Sequence, residues 1–272
     1  MRSDDQLSLR NPKVQHLRRL IGRRRSRSES GQFVFEGPTL LREALACSYP
    51  IEAVFFDHDE SEALAPLRAA VADRAEVHSL AKGVLAKVAD ASAPQGVIVV
   101  APRPRFDLTT FLESEPRGLV YVLDRINDPG NAGAIIRTAE AVGATAVVFA
   151  DHSTDPFGPK TVRAAAGSAF RLPLLEVAAT RDLLDRLGQL SFSRVGTVAR
   201  GGDHYRDVDL SGDVALVLGS ESHGLGSEVE ASLDRRLSIP MRGAVESLNV
   251  ASTAAVLGFE RLRQLDAAGS DI

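Results

Sequence analysis

The chain predicts an α/β protein in two unequal blocks, the larger one built on a mostly parallel sheet covered by helices on both faces. Three observations point there. Short apolar runs alternate with segments of helical period along the whole chain. The strands of the second half are near-continuous apolar stretches, as expected where both faces of a sheet are buried. Between the halves lies Ala101-Pro102-Arg103-Pro104-Arg105, whose closely spaced prolines oppose both helix and sheet continuation. The expected division is residues 1–101, a linker at 102–117 and residues 118–272.

In the first block the pattern predicts a helix over 11–21, a strand over 33–36 and a turn at Gly37-Pro38-Thr39 into a helix ending near 46. A strand over 51–56, a helix over 61–72, a short strand over 76–78 and a buried strand over 96–100 follow. The second block predicts strands over 119–123, 146–150, 171–175, 194–198, 214–218 and 237–239. Its helices are expected over 132–142, 158–166, 180–190 and 248–265.

At 272 residues, with 44% hydrophobic and 25% charged side chains, the composition is that of a soluble globular chain with a sizeable core. The longest apolar runs are far too short to span a bilayer, and the first residues are polar and basic rather than signal-like. Cys47 stands alone, so no internal disulfide can form and a reducing cytoplasm is expected. The formal charge of -4 hides an uneven distribution. Arg2, Arg10, Lys13, Arg18, Arg19, Arg23, Arg24, Arg25 and Arg27 crowd the first segment against only Asp4 and Asp5. Such an arm suits contacts to phosphates, and a disordered solubility tail is the competing reading. With aromatics at 5% and no Trp, base stacking on an aromatic platform is not expected to dominate RNA binding.

Several chemistries are excluded by what is missing. Gly219-Ser220-Glu221-Ser222-His223-Gly224 begins like a phosphate loop, but Leu225 stands where that loop needs Lys. No strand leads into a full Gly-x-Gly-x-x-Gly fingerprint, since Gly224 and Gly226 are followed by Val229. The six histidines show no paired ligand spacing, so no metal site is expected, and no Gly-x-Ser-x-Gly elbow occurs.

What remains is a site built from three loops that each follow an apolar run. In Asn127-Asp128-Pro129-Gly130-Asn131, Asn131 is placed to cap the helix opening at Ala132, with Arg137 on its first turns. A plain helix cap and an ordinary surface arginine would look the same. Glu221 can bond a ligand or brace a neighbouring loop. In Glu246-Ser247-Leu248-Asn249, Ser247 is placed to cap the last long helix, and Asn249 falls in its first turn, where an amide is unusual without a partner.

Taken in order, residues 131–139, 219–225 and 239–250 resemble the three motifs of the SpoU (TrmH-type) RNA methyltransferases of the SPOUT superfamily. Residues 155–160 and 163–168 are similar to a pattern seen in ribosomal-RNA members. The resemblance covers the chain from about Gly118 to its end. It implies a deep trefoil knot, a homodimer that completes each site, and S-adenosylmethionine as methyl donor, held in a bent form. By the same resemblance Gly219, Ile239 and Leu248 line the donor pocket through main-chain contacts, with Thr197 and Leu218 beside them. Asn131, Arg137, Glu221, Ser247 and Asn249 occupy the positions of the family's polar catalytic residues. The implied reaction is methyl transfer to a ribose 2′-hydroxyl, in ribosomal RNA before transfer RNA. A guanidinium hardly ever releases its proton, so Arg137 is read as gripping an RNA phosphate rather than acting as the base. His223 departs from the small or acidic residue usual at its place, and a solvent-facing position is expected for it. Residues 33–37 with the following helix, and the strand over 51–56, resemble more weakly a ribosomal-protein-like substrate-binding domain. A non-catalytic RNA-binding assembly factor and a dinucleotide-dependent oxidoreductase are the alternatives from other classes; the intact polar motif residues oppose the first and the missing fingerprint the second.

Overall fold

The computed structural model describes residues 6–59, 61–114, 117–220 and 223–269. The chain folds as two compact units, one comprising Met1–Arg105 with Phe157–Phe170, the other Phe106–Pro156 with Arg171–Ile272. The segment Phe157–Phe170, expected within the second block, thus belongs to the first unit.

The first unit carries a five-stranded mixed sheet in the order β1-β4-β3-β5-β2. Its strands are β1 (Gln6–Leu7), β2 (Gln32–Glu36), β3 (Ala53–Phe56), β4 (Glu76–Leu80) and β5 (Val97–Pro102). Helices α1 (Pro12–Gly22), α2 (Arg24–Ser30), α3 (Pro38–Ala46), α4 (Ala65–Val71) and α5 (Leu85–Val88) surround it. Asn11 caps α1 by accepting from the Lys13 N–H, and Pro12 at the first position costs no hydrogen bond. Val14, Leu17 and Leu20 then bury one helical stripe against Phe55, Leu80 and Ile98.

From Arg10 to Arg27 the arginine-rich arm is folded rather than a loose tail, while Arg2, Asp4 and Asp5 lie outside the described residues. Arg27 is only 5% exposed, and its guanidinium donates to the Leu20 carbonyl and, at 3.0 Å, to that of Ile21. It thereby satisfies carbonyls that the end of α1 would leave without partners. Arg18, Arg19, Arg23, Arg24 and Arg25 stay exposed. Another part of the same unit holds an aromatic cluster. Phe157 packs on Phe33 at 5.1 Å and Phe170 on Phe35 at 4.8 Å between ring centroids. Between those two phenylalanines, α8 (Pro159–Ala164) sends Arg163 to Asp90 at 2.9 Å.

The second unit is organised by a seven-stranded sheet in the order β10-β12-β9-β11-β6-β7-β8, every neighbouring pair parallel. These strands are β6 (Leu119–Asp124), β7 (Ala146–Ala150), β8 (Leu174–Glu176), β9 (Ser193–Thr197), β10 (Asp203–His204), β11 (Val214–Leu218) and β12 (Arg235–Ser238). Central strands β6, β7 and β11 are buried at every residue, which explains their unbroken apolar sequence. The helices are α6 (Leu108–Glu113), α7 (Pro129–Ala141), α9 (Thr180–Gln189), α10 (Ser227–Ala231) and α11 (Val250–Ala267). Helix α6 falls inside the stretch expected as linker, started by Asp107, whose carboxylate accepts from the Thr110 N–H. Helix α11 packs on α7 and is pinned to the sheet where Tyr121 donates to the Ala254 carbonyl at 2.9 Å. A Cβ on Gly258 would strike that same hydroxyl, so only glycine lets the helix lie this close.

Candidate functional site

Strands β12, β9 and β11 are neighbours and parallel, so the loops leaving their carboxyl ends emerge side by side. A cavity of about 670 Å³ lies among them. Thr197 and the next two residues line it from β9, Gly219 and Ser220 from β11, Leu237 and Ile239 from β12. Ser247, Leu248 and Asn249, at the entry to α11, close the remaining wall.

Local chemistry fixes each wall. Thr197 donates to the Val217 carbonyl at 3.3 Å, tying the end of β9 to β11. The turn that starts at Gly219 is closed by the Gly224 N–H bonding the Ser220 carbonyl at 2.8 Å, with Gly224 at φ +62°. A Cβ on Gly219 would lie 2.6–2.7 Å from main-chain atoms of Gly224 and Leu225, which cannot move without opening the turn.

The two helix starts differ from expectation in an instructive way. Asp128, not Asn131, caps α7, its carboxylate accepting from the Asn131 N–H at 2.7 Å. Asn249, not Ser247, caps α11, its Oδ1 accepting from the N–H groups of Ala251 at 2.9 Å and Ser252 at 3.4 Å. The capping asparagine also reaches the first loop with its other side-chain atom: Asn249 Nδ2 donates to Asn131 Oδ1 at 3.0 Å. This bond joins the first and third loops across 118 residues of sequence. Ser247 is left exposed on the cavity wall, without the capping role expected of it.

Of the residues expected at the donor pocket, Thr197, Gly219, Ile239 and Leu248 line the cavity. Leu218 does not; it ends β11 with its side chain fully buried in the core. Of the expected polar set, Ser247 and Asn249 line it and Asn131 joins it through Asn249. Arg137 stands apart, exposed on α7 and making no hydrogen bond or ion pair with a described residue. Six residues beyond Asn131, it lies about 9 Å along the helix and about 240° around it, on another face. Glu221 lies outside the described residues. His223 is exposed yet lines the cavity mouth, so its position is not purely one of solvent. Sequence reasoning missed Met241 and Thr253 on the wall. Thr253 lies one helical turn beyond Asn249, a spacing that could have placed it there. Glu246 faces Arg200 at 3.8 Å with both side chains mostly exposed, a pair worth little. Among the described residues no cluster of His, Cys, Asp and Glu could hold a metal ion, and no helix is long and apolar enough to cross a membrane.

A family model described as the SpoU rRNA Methylase family matches residues 118–259, more than half of the chain. The chain belongs to that family. It is a methyltransferase by that membership, and a second model, the MRM3-like substrate binding domain, matches residues 11–99. The chain is 30% identical over 264 residues to a 23S rRNA (uridine(2479)-2'-O)-methyltransferase of Streptomyces viridochromogenes, covering 95% of this chain and 92% of that one. It is 31% identical over 255 residues to the 23S rRNA (guanosine(2553)-2'-O)-methyltransferase RlmP of Bacillus subtilis, covering 93% and 96%. Among solved structures, the SpoU methyltransferase AviRb of Streptomyces viridochromogenes in complex with AdoMet superposes with a TM-score of 0.85 at 29% identity, covering 95% of this chain and 99% of that one. An rRNA methyltransferase of Sinorhizobium meliloti gives 0.82 at 30%, covering 96% and 98%.

Proposed function

We propose that the cavity binds S-adenosylmethionine and that the protein methylates a ribose 2′-hydroxyl, with ribosomal RNA as the substrate. The observation that carries this reading is the convergence of the loops after β9, β11 and β12 on one cavity, to which the Asn249–Asn131 hydrogen bond ties the start of α7. The residues suit such a donor: about 670 Å³ is within the usual size for a small-ligand pocket, and Gly219 leaves the wall open to close main-chain approach. The donor, when bound, supplies a methyl group already electrophilic on a sulfonium.

The protein's part is therefore alignment and help with proton removal. Thr197, Gly219, Ile239 and Leu248 hold the donor, while Ser247 and the Asn249–Asn131 pair present polar groups to the sugar. Arg137 orients the RNA through a phosphate, because a guanidinium stays protonated. Its exposure on a different face of α7 from Asn131 supports a site completed by a second copy of the chain, as a homodimer. Glu221 and the trefoil threading of the C-terminal part belong to the same reading. The first unit binds the RNA, with Arg18, Arg19, Arg23, Arg24 and Arg25 as phosphate contacts, and the reaction takes place in the cytoplasm.

Calorimetric titration with S-adenosylmethionine, followed by single-turnover methyl transfer to ribosomal RNA, tests this. Arg137→Ala should bind the donor unchanged and lose turnover on the order of a hundredfold or more. Full turnover in that variant would remove Arg137 from the site.

A further inference from the structure

At the carboxyl ends of β6 and β7, next to the pocket loops, the backbone is held in a conformation that L-residues avoid. Arg125 has φ +57°, and Asp151 and His152 have φ +43° and +62°. None of them is glycine, and such positions persist only where surrounding contacts over-determine them.

Those contacts are present. Ser153, nearly fully buried, stitches the two loops: its hydroxyl accepts from the Ile126 N–H at 3.1 Å and lies 2.7 Å from the Ala150 carbonyl and 2.9 Å from that of Leu123. Asp124 is completely buried at the end of β6. One of its carboxylate oxygens accepts from Thr180 at 2.5 Å, the other from Nη2 and Nε of Arg125 at 3.1 and 3.2 Å. Asp151 adds a longer ion pair to the same guanidinium at 3.8 Å. The same Nη2 that donates to Asp124 also lies beside the main chain at Gly226, where an added Cβ would come within 3.2 Å of it. Gly226 directly follows Leu225, whose main-chain nitrogen is part of the surface against which Gly219 closes.

We propose that Arg125 is a positioning residue for the donor pocket. Its guanidinium, anchored by Asp124 and Asp151, packs beside the chain at Gly226 and so holds Gly224 and Leu225 against Gly219 at the pocket wall. The assignment rests on the reading of the cavity as the S-adenosylmethionine site. Strained backbone is tolerated here because the side chain it presents does this work; a residue with no such task would be better served by glycine or asparagine.

The test is S-adenosylmethionine affinity of the full-length protein, measured by calorimetry well below its melting temperature, together with KM and kcat on ribosomal RNA. Arg125→Gly relieves the left-handed strain and removes the brace. Arg125→Lys keeps a positive charge beside Asp124 but lacks the planar fork that binds the carboxylate while lying beside Gly226. Arg125→Gly should weaken donor binding on the order of tenfold, raising KM for the donor while kcat at saturation stays within about threefold. Arg125→Lys should fall between it and the unaltered protein. Gly226→Ala, approached from the other side, should weaken the donor too, and its effect should shrink in an Arg125→Gly background because the guanidinium that the added Cβ would crowd is then gone. A folded Arg125→Gly or Arg125→Lys that binds the donor as tightly as the unaltered protein overturns the assignment and leaves the pocket reading intact. Failure of the unaltered protein to bind the donor would take down both.

Discussion

The two sheets use their polar side chains in opposite ways. In the first unit, buried or half-buried polar groups finish the local fold. Arg27 satisfies the end of α1, and Glu36 accepts from the N–H groups of Asp90 at 2.6 Å and Ala91 at 3.1 Å. At the carboxyl edge of the second unit's sheet, polar groups do a local task and still offer something outward. Asn249 caps a helix with its oxygen and reaches Asn131 with its nitrogen, while Ser247 caps nothing and stays on the cavity wall. The lesson is that a polar residue at a helix start identifies a site only when its local demand is met by a different atom, or by a neighbour.

The sharpest way to break that contrast is Gly219→Ala. A Cβ there collides with main-chain atoms of Gly224 and Leu225 at 2.6–2.7 Å, so donor binding should fall by about a hundredfold or more while both units remain folded, as read by calorimetry and circular dichroism. Unchanged affinity would mean the turn is not a wall of the donor site. Next in size is Asn249→Asp. A carboxylate keeps the helix cap and suits a helix N-terminus, but cannot donate to Asn131. Turnover should drop at least tenfold with the melting temperature held, whereas Asn249→Ala should lose both activity and about 1 kcal/mol of stability. Equal stability losses in the two variants would show that the cap was misread.

In the first unit the expected effects change kind. Arg27→Met leaves the carbonyls of Leu20 and Ile21 unpaired and should cost about 1–3 kcal/mol in chemical unfolding, with donor affinity untouched. Replacing Arg23, Arg24 and Arg25 together with Gln should leave stability within about 0.5 kcal/mol, yet weaken RNA binding and lower its log-salt slope by about 3. An unaltered slope would remove those arginines from the RNA surface. The smallest effect concerns acid. Hydrogen bonds from the Arg194 guanidinium hold the Asp234 carboxyl below the usual carboxylate range. Because its pKa is lower in the folded state, the pair stabilises the fold above the ordinary carboxylate pKa and loses that contribution as pH falls through the lowered value. For so exposed a pair the change should stay under about 1 kcal/mol, visible as a shallower acid-unfolding limb in Asp234→Asn.

Much of this was legible in the residues because parallel strands and loop-forming Gly, Pro and Asn leave strong local marks. The runs at 119–123, 146–150 and 214–218 are strands in the structure, as the unbroken apolar pattern predicts. The cap assignments went astray by a physical ambiguity: several polar residues near a helix start can accept from its free N–H groups. Asp128 before Pro129 was the better signal, since proline favours the first helical position and places the cap just ahead of it. Periodicity gives no address, however. Nothing local says that Phe157–Phe170 joins the first unit's phenylalanines, or which arginine of a basic run is buried. Those outcomes depend on partners distant in sequence. Arg125 escaped notice for a related reason: its role rests on a backbone angle that composition does not reveal.

The most direct measurement is to methylate ribosomal RNA with label from S-adenosylmethionine and map the product by resistance to alkaline cleavage, which a methylated 2′-oxygen confers. Label confined to one alkali-resistant position, and lost with Gly219→Ala, is the predicted result. Label on a base, or transfer that survives Gly219→Ala, would contradict a sugar methylation carried out at this cavity.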